Sequence, residues 1–238
     1  METPGYATLT RQSGLMREMR AIATNMANMS TTGYRAERVV FAEYLSPLPD
    51  DGATLSMGHA RARFADPAQG GLTRTGGRFD FAIEGTGFFQ LETEAGPRLT
   101  RAGAFLRNAD GELVAPDGAR LLDAGGAPVF VPAEAGTIAL AADGTLSADD
   151  QPLAQIGLFR PIDAARLTRA EGARFAAQGG VEPAFDARLV QGFVEESNVD
   201  PVAQIARMIE VQRAYELGQT FLDREDRRIR DTVEALTR

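Results

Sequence analysis

From Ser197 almost to its C-terminus the chain reads SNVDPVAQIARMIEVQRAYELGQTFLDREDRRIRDTVEAL, with no proline after Pro201. Asp200 suits a helix N-cap, and Pro201 suits the first helical position, where its missing N–H costs nothing. Met208, Tyr215, Leu222, Ile229 and Leu236 then recur every seven residues. The positions four further on, Gln212, Gln219, Asp226 and Val233, are mostly polar. A two-stranded coiled coil needs both seams apolar, so this spacing predicts one long helix with a single narrow stripe. Asp223–Arg227, Arg227–Asp231 and Asp226–Arg230 stand at i,i+4 and offer ion pairs outside that stripe. A rod of roughly 55 Å follows from about 37 residues at ~1.5 Å each. Such a helix needs a surface to pack against.

The N-terminal end supplies a candidate. Leu15, Met19, Ile22, Met26 and Met29 fall at helical spacing on one face. The run Ser30-Thr31-Thr32-Gly33 follows, and Gly33 is placed for a left-handed C-terminal cap. Between the two ends the pattern changes. RFDFAIEG alternates Phe79, Phe81 and Ile83 with polar neighbours, as a half-buried strand does. Short runs such as GFFQLE, GELVA, PVFVP and LAQIGLFR follow. They are separated by turn pairs at Asp110-Gly111, Asp117-Gly118, Gly125-Gly126 and Asp143-Gly144. The expected architecture is therefore mostly β. An antiparallel domain, sandwich or barrel-like, spans residues 72–197, flanked by coiled-coil-type helices from 1–35 and 198–238 that pair with each other. Pro47, Pro49, Asp50-Asp51-Gly52 and Gly70-Gly71 mark the intervening stretch, 36–71, as an extended connector.

Several chemistries are excluded by composition. With 238 residues and a formal net charge of −8, a broad nucleic-acid footprint is not expected. There is no cysteine, hence no disulfide, thiolate metal site or cysteine nucleophile. No stretch approaches the ~20 apolar residues that span a bilayer, so no integral membrane segment is expected. The first twenty residues lack the apolar core and cleavage site of a secretory signal. Gly85-Thr86-Gly87 meets Gln90 where a dinucleotide loop needs glycine, and Asn108, Asp110 and Gly111 match an EF-hand loop only in part. His59 is the sole histidine, and the adjacent pairs Asp149-Asp150 and Glu195-Glu196 read as solvated. No nucleophile–base set emerges, so the chain is expected to be neither an enzyme nor a holder of cofactors or metals.

Three motifs are more specific than this patterning. ATNMANMSTTGYR at 23–35 resembles the N-terminal signature of the flagellar rod and hook family, A-N-N-x-A-N-x-x-T-x-G-[FY]. It carries Asn25, Asn28, Gly33 and Tyr34, and departs from the pattern only at Thr24. Ser197 and Asn198 in SNVD, with Gln212, Arg213 and Tyr215 in MIEVQRAYE, resemble the C-terminal signature. AIEGTGFFQL at 82–91 and LTRAGAF at 99–105 are similar to the β domain between them. The resemblance covers nearly the whole chain in the right order. It implies a non-enzymatic building block of the flagellar axis, whose terminal helices order into an inner tube with copies of itself and other rod proteins. It also implies passage through the flagellar type III export apparatus without a cleaved signal, and residence in the periplasmic rod of the basal body. Rival placements are a distal rod or hook-type subunit. A different class of protein is a secreted β module binding cell wall or glycan on a helical stalk.

Overall fold

The computed structural model describes residues 3–47 and 54–236, with side chains described for 8–40 and 64–236. Two helices and a series of short antiparallel strands make up these residues, which separate into two compact units.

The first unit comprises Met1–Ala27, Glu37–Phe64 and Asp200–Arg238. It holds helix α1 (Thr3–Ala27), the paired strands β1 (Glu37–Pro47) and β2 (Thr54–Ala65), and helix α2 (Pro201–Leu236). α2 starts where the cap chemistry places it. One carboxylate oxygen of Asp200 accepts the N–H groups of Val202 at 2.9 Å and Ala203 at 3.1 Å, satisfying two donors that the first helical turn leaves open. Of the expected i,i+4 ion pairs, Asp226–Arg230 forms at 2.7 Å, while Arg228 turns back to Glu225.

The second unit comprises Asn28–Ala36 and Ala65–Val199. Its largest sheet runs from Leu167–Arg169 through Arg174–Ala177, Gly96–Thr100, Phe88–Thr93, Arg120–Leu121 and Leu113–Val114 to Leu106–Arg107. Every neighbouring pair is antiparallel, and no closed barrel forms among the described residues. Smaller sheets pair Phe81–Glu84 with Arg188–Gln191, and Leu72–Arg74 with Phe193–Glu195. Strand alternation builds the core: Phe89 and Leu91 point inward from Phe88–Thr93 and meet Phe81, Ile83, Phe105, Leu113, Leu121, Val129 and Leu146. The rings of Phe89 and Phe105 meet edge to face with centroids 5.4 Å apart, an arrangement the ring quadrupoles favour. Phe81–Glu84 buries Phe81, Ala82 and Ile83 in succession and is therefore covered on both faces.

These boundaries differ from the expected ones in three places. Residues 28–36 join the β unit instead of the terminal helices. The connector 36–71 divides, its central part forming the β1–β2 pair of the helical unit and its last residues joining the β unit. The β unit consequently extends beyond 72–197 at both ends. Pro49 and Asp50-Asp51-Gly52 lie outside the described residues, as does the side chain of His59.

Candidate assembly interface

α1 and α2 pack against each other through a small apolar cluster of Leu15, Ile22 and Val211, with Met19, Met26, Met208, Ala214 and Tyr215 against it. Two cross-links fix their direction. Gln12 Nε2 donates to the carbonyl of Tyr215 at 3.3 Å, and Asn25 Nδ2 donates to Gln204 Oε1 at 3.2 Å. Rising numbers on α1 meet falling numbers on α2, so the helices run antiparallel. Arg207 of α2 closes the side of the pair with a 2.7 Å ion pair to Glu18 of α1. This carboxylate holds the Arg207 guanidinium above its ordinary pKa, against a smaller opposing effect of burial.

The covered positions of α2 are Gln204, Met208, Val211, Ala214, Tyr215, Gly218, Leu222 and Glu225, and apart from Ala214 they are spaced alternately by four and three. The second seam thus lies three residues after Met208, not four. Gln212 and Asp226 are exposed, and Val233 is exposed too. Both spacings put a residue on nearly the same face of a helix, and burial of Val211 at 1% exposure decides between them. Gly218 permits a close approach, since a Cβ there would lie 2.9 Å from Gln12 Nε2. Gln12 is itself buried, and its Oε1 accepts from Gln219 Nε2 at 3.3 Å, which also reaches the Tyr215 hydroxyl at 3.0 Å. A polar group in an otherwise apolar seam fixes register. Beside it lies a groove of about 340 Å³ lined by Thr8, Leu15, Ala214, Leu217, Gly218 and Phe221 among others.

The expected stripes are therefore covered over only part of their length. Leu15 and Ile22 are buried, Met19, Met26, Met208, Tyr215 and Leu222 half-buried. Met29 lies beyond the end of α1 and is 49% exposed. Ile229 and Leu236 are 53% and 82% exposed. They continue the packing face of α2 past Leu222.

The signature asparagines have structural duties at one point of the chain. Within the helical unit, Asn25 Oδ1 accepts the Glu37 N–H at 2.7 Å, and its Nδ2 donates to the Glu37 carbonyl at 2.9 Å. Within the β unit, Asn198 Oδ1 accepts the Ala36 N–H at 2.6 Å, and its Nδ2 donates to the carbonyls of Ala68 at 2.7 Å and Asp66 at 3.3 Å. Consecutive residues, 36 and 37, are thus gripped by side-chain amides from the two signatures. Asn28 closes the turn after α1, its carbonyl accepting the Thr31 N–H at 3.1 Å. Tyr34 is buried with Ala36, Ala173 and Val199, and the Arg169 guanidinium lies 4.4 Å from its ring centroid. Ser197 Oγ accepts the Val199 N–H at 3.3 Å. Gln212 bonds Glu216 one turn on, and Arg213 is exposed.

Gly33 has a different role from the expected helix cap. α1 ends at Ala27, six residues earlier. Gly33 adopts φ +67°, its N–H donates to the Glu195 carbonyl at 2.7 Å, and a Cβ would stand 2.2 Å from the Ala102 nitrogen. Glycine is required by this contact and by the left-handed backbone.

Arg35, Arg101 and Glu195 were not legible as site residues. Glu195 is buried, against the expected solvated pair, and only Glu196 is exposed. Burial pushes the Arg101 guanidinium down to about 10, with Glu195 opposing and Arg35 adding to the effect. Burial likewise lowers Arg35, against the pull of Glu195 and Asp66. The cue available in the sequence was strand alternation in FVEE, which turns one of two adjacent glutamates inward. Among the described residues, no cluster of His, Cys, Asp and Glu is arranged to hold a metal ion, and no helix is long and apolar enough to cross a membrane.

Two family models match the chain. One is the flagellar hook protein FlgE/F/G D1 domain, over residues 82–148. The other is the flagellar basal body rod FlgEFG protein C-terminal region, over residues 190–235. With full-length relatives above 30% identity, the chain belongs to the flagellar rod and hook protein family. Within it the resemblance is stronger to FlgF than to FlgG. The flagellar basal-body rod protein FlgF of Caulobacter vibrioides is 36% identical over 99% of this chain and 98% of its own length. FlgF of Mesorhizobium japonicum is 37% identical over 91% of this chain and 90% of its own. FlgG of Agrobacterium fabrum is 30% identical over 87% and 89%.

Proposed function

We propose that this chain is a structural subunit of the proximal part of the bacterial flagellar basal-body rod, assembling through α1 and α2 into the axial tube. Its neighbours are copies of itself and other rod proteins. It reaches the periplasmic rod through the flagellar type III export apparatus, without a cleaved signal peptide. The observation that carries this reading is the unspent packing face of α2. Ile229 and Leu236 extend the seam that begins at Met208, and both are exposed. A second apolar set, Val202, Ile205 and Ile209, is exposed as well. It lies on the side of α2 turned away from Val211, because two residues advance a helix by about 200°. Apolar faces of this kind mark partner surfaces, and two on one helix suit a subunit with neighbours on more than one side. Met19, Met26 and Met208, unbranched and polarizable, adapt to imperfectly matched neighbours. The relatives with nearly full-length matches bear rod-protein names, which supports the same reading.

Ending the chain after Leu222 tests it directly. The truncated protein keeps every residue of the β unit and of the Leu15–Ile22–Val211 cluster. It is expected to stay folded, with an unchanged β spectrum, but to be absent from purified basal bodies and to leave cells non-motile. Normal rods and motility with the truncated chain as sole copy would overturn the proposal.

A further inference from the structure

Among the described residues Glu195 is the only carboxylate-bearing residue that is fully buried. Its Oε1 lies 3.0 Å from Arg35 Nη2 and accepts the Gly70 N–H at 3.1 Å, while its Oε2 lies 3.3 Å from Arg101 Nη1. Its main-chain carbonyl accepts the Gly33 N–H at 2.7 Å. The two guanidiniums are buried too and are tied to main chain on their far sides. Arg35 Nη1 donates to the Pro67 carbonyl and Arg101 Nη1 to the Ile83 carbonyl, each at 3.2 Å, and Arg101 Nη2 donates to the Gly85 carbonyl. One carboxylate thus gathers the stretch that enters the β unit after α1, the stretch that enters it after β2, and the strand that leaves it towards α2.

These entering and leaving segments have little share in the apolar core. The main buried cluster, which includes Phe81, Ile83, Phe89, Leu91, Leu121 and Val129, contains no residue of 28–36, 65–71 or 193–199. Polar contacts and one small satellite cluster, Tyr34, Ala36 and Val199 against Ala173, hold the segments; the polar contacts are the Glu195 cluster, the Asn198 amide, and the pairing of Phe193–Glu195 with Leu72–Arg74. The ionic contacts also have an uneven balance, with two cations against the one buried carboxylate and Asp66 adding only a weaker pull on Arg35. Removing the charge of Glu195 turns an attraction into a repulsion between buried guanidiniums.

We infer that Glu195, Arg35 and Arg101 form a latch, by which the entering and leaving segments 28–36, 65–71 and 193–199 close on the β unit as one element that opens while the apolar core remains folded. Local opening of a cooperative element below the global stability is a general property of folded proteins. Here the element carries Gly33, Tyr34, Ser197 and Asn198, so the latch decides whether parts of both terminal signatures are in place. The inference goes beyond the rod reading and does not depend on it.

Amide hydrogen exchange of the full-length Glu195→Gln chain against the parent tests it, read by mass spectrometry under native conditions. Glutamine keeps the size of the side chain and one acceptor. Exchange in 33–36, 68–71 and 193–199 is expected to rise by at least ~100-fold, with protection in 88–93 and 120–122 unchanged. Adding Arg35→Met removes one of the opposed cations and is expected to recover ~10-fold or more of the lost protection. The inference is overturned if exchange rises equally in segments and core, if the single variant does not fold, if protection is unaffected, or if the second substitution recovers nothing.

Discussion

Among the described residues, the β unit gathers sixteen buried residues into one apolar cluster, whereas the helical unit gathers three. The contrast is sharpest in α2, which buries one residue, Val211, in thirty-six. A helix of that length normally earns its stability from a packed face, because isolated helices are marginal in water. The β unit therefore completes its core within one chain, and α2 leaves most of its apolar surface unsatisfied. One unit is finished by folding, and the other is left unfinished in the single chain.

The largest effect that tests this contrast falls on the finished unit. Phe89 is fully buried and touches Phe105 edge to face, so Phe89→Ala removes buried area, leaves a cavity, and costs about 3–5 kcal/mol. Denaturant unfolding followed by a probe in the β unit is expected to show that loss. In the helical unit, Ile22→Ala is expected to cost about 2 kcal/mol, the low end of the range for such truncations, since so thin a cluster collapses readily around the gap. Helical circular dichroism should weaken at lower denaturant while exchange at Leu91 and Leu121 stays slow. If Ile22→Ala lowers the protection of those amides as far as Phe89→Ala does, the two units do not stand apart.

How much of this contrast is legible in the sequence depends on what carries each signal. α2, its Asp200 cap and the stripe of α1 follow from periodicity, and turn pairs such as Asp110-Gly111 and Asp143-Gly144 place their glycines at positive φ as expected. The β1–β2 pair is hidden by its neighbouring proline and glycine signals, although Val39, Val40 and Phe41 carry β propensity. Val211 is missed because spacings of three and four serve one helical face almost equally. The Glu195 cluster is beyond pattern reading: Arg35, Arg101 and Glu195 are far apart in the chain, and only the fold brings their charges together. Asparagine at 25 and 198 is visible as a motif, but the motif does not reveal that both side chains hold the backbone at residues 36 and 37.

Asp149-Asp150 shows the same limit at a turn. Read as a solvated pair, it is exposed as expected and also forms the hairpin turn between Thr145–Ala148 and Gln151–Gln155, with φ of 48° and 65°. Both residues occupy the left-handed region that this turn requires and that glycine tolerates best. Asp149 also accepts the N–H groups of Thr137 at 2.8 Å and Gly136 at 3.1 Å. Asp150→Gly is therefore expected to stabilise the β unit by about 0.5–1 kcal/mol, measured as a higher denaturant midpoint. The bonds to Asp149 lower its pKa below the ordinary 3.8. The stabilisation they give is present above that value and is lost as pH falls through the lower folded-state value, so Asp149→Asn should flatten the acid limb of the stability curve. An increase in stability confined to the helical unit would contradict both assignments.

The smallest effect on the single chain is the most informative about the unfinished unit. Ile229 is 53% exposed and belongs to no buried cluster, so Ile229→Asp removes little tertiary packing. It is expected to change the unfolding free energy of the monomer by less than about 0.5 kcal/mol. A charge at the same position placed against an apolar neighbour is a different matter, because an unpaired charge cannot be buried cheaply. Sedimentation of concentrated protein should show self-association weakened in Ile229→Asp, and equally in Leu236→Asp on the same seam. Lys substituted at exposed Gln212, which lies off this seam, should leave association intact. Unaltered association in all three variants would mean that this face of α2 is merely exposed, and the division between a finished and an unfinished unit would lose its meaning.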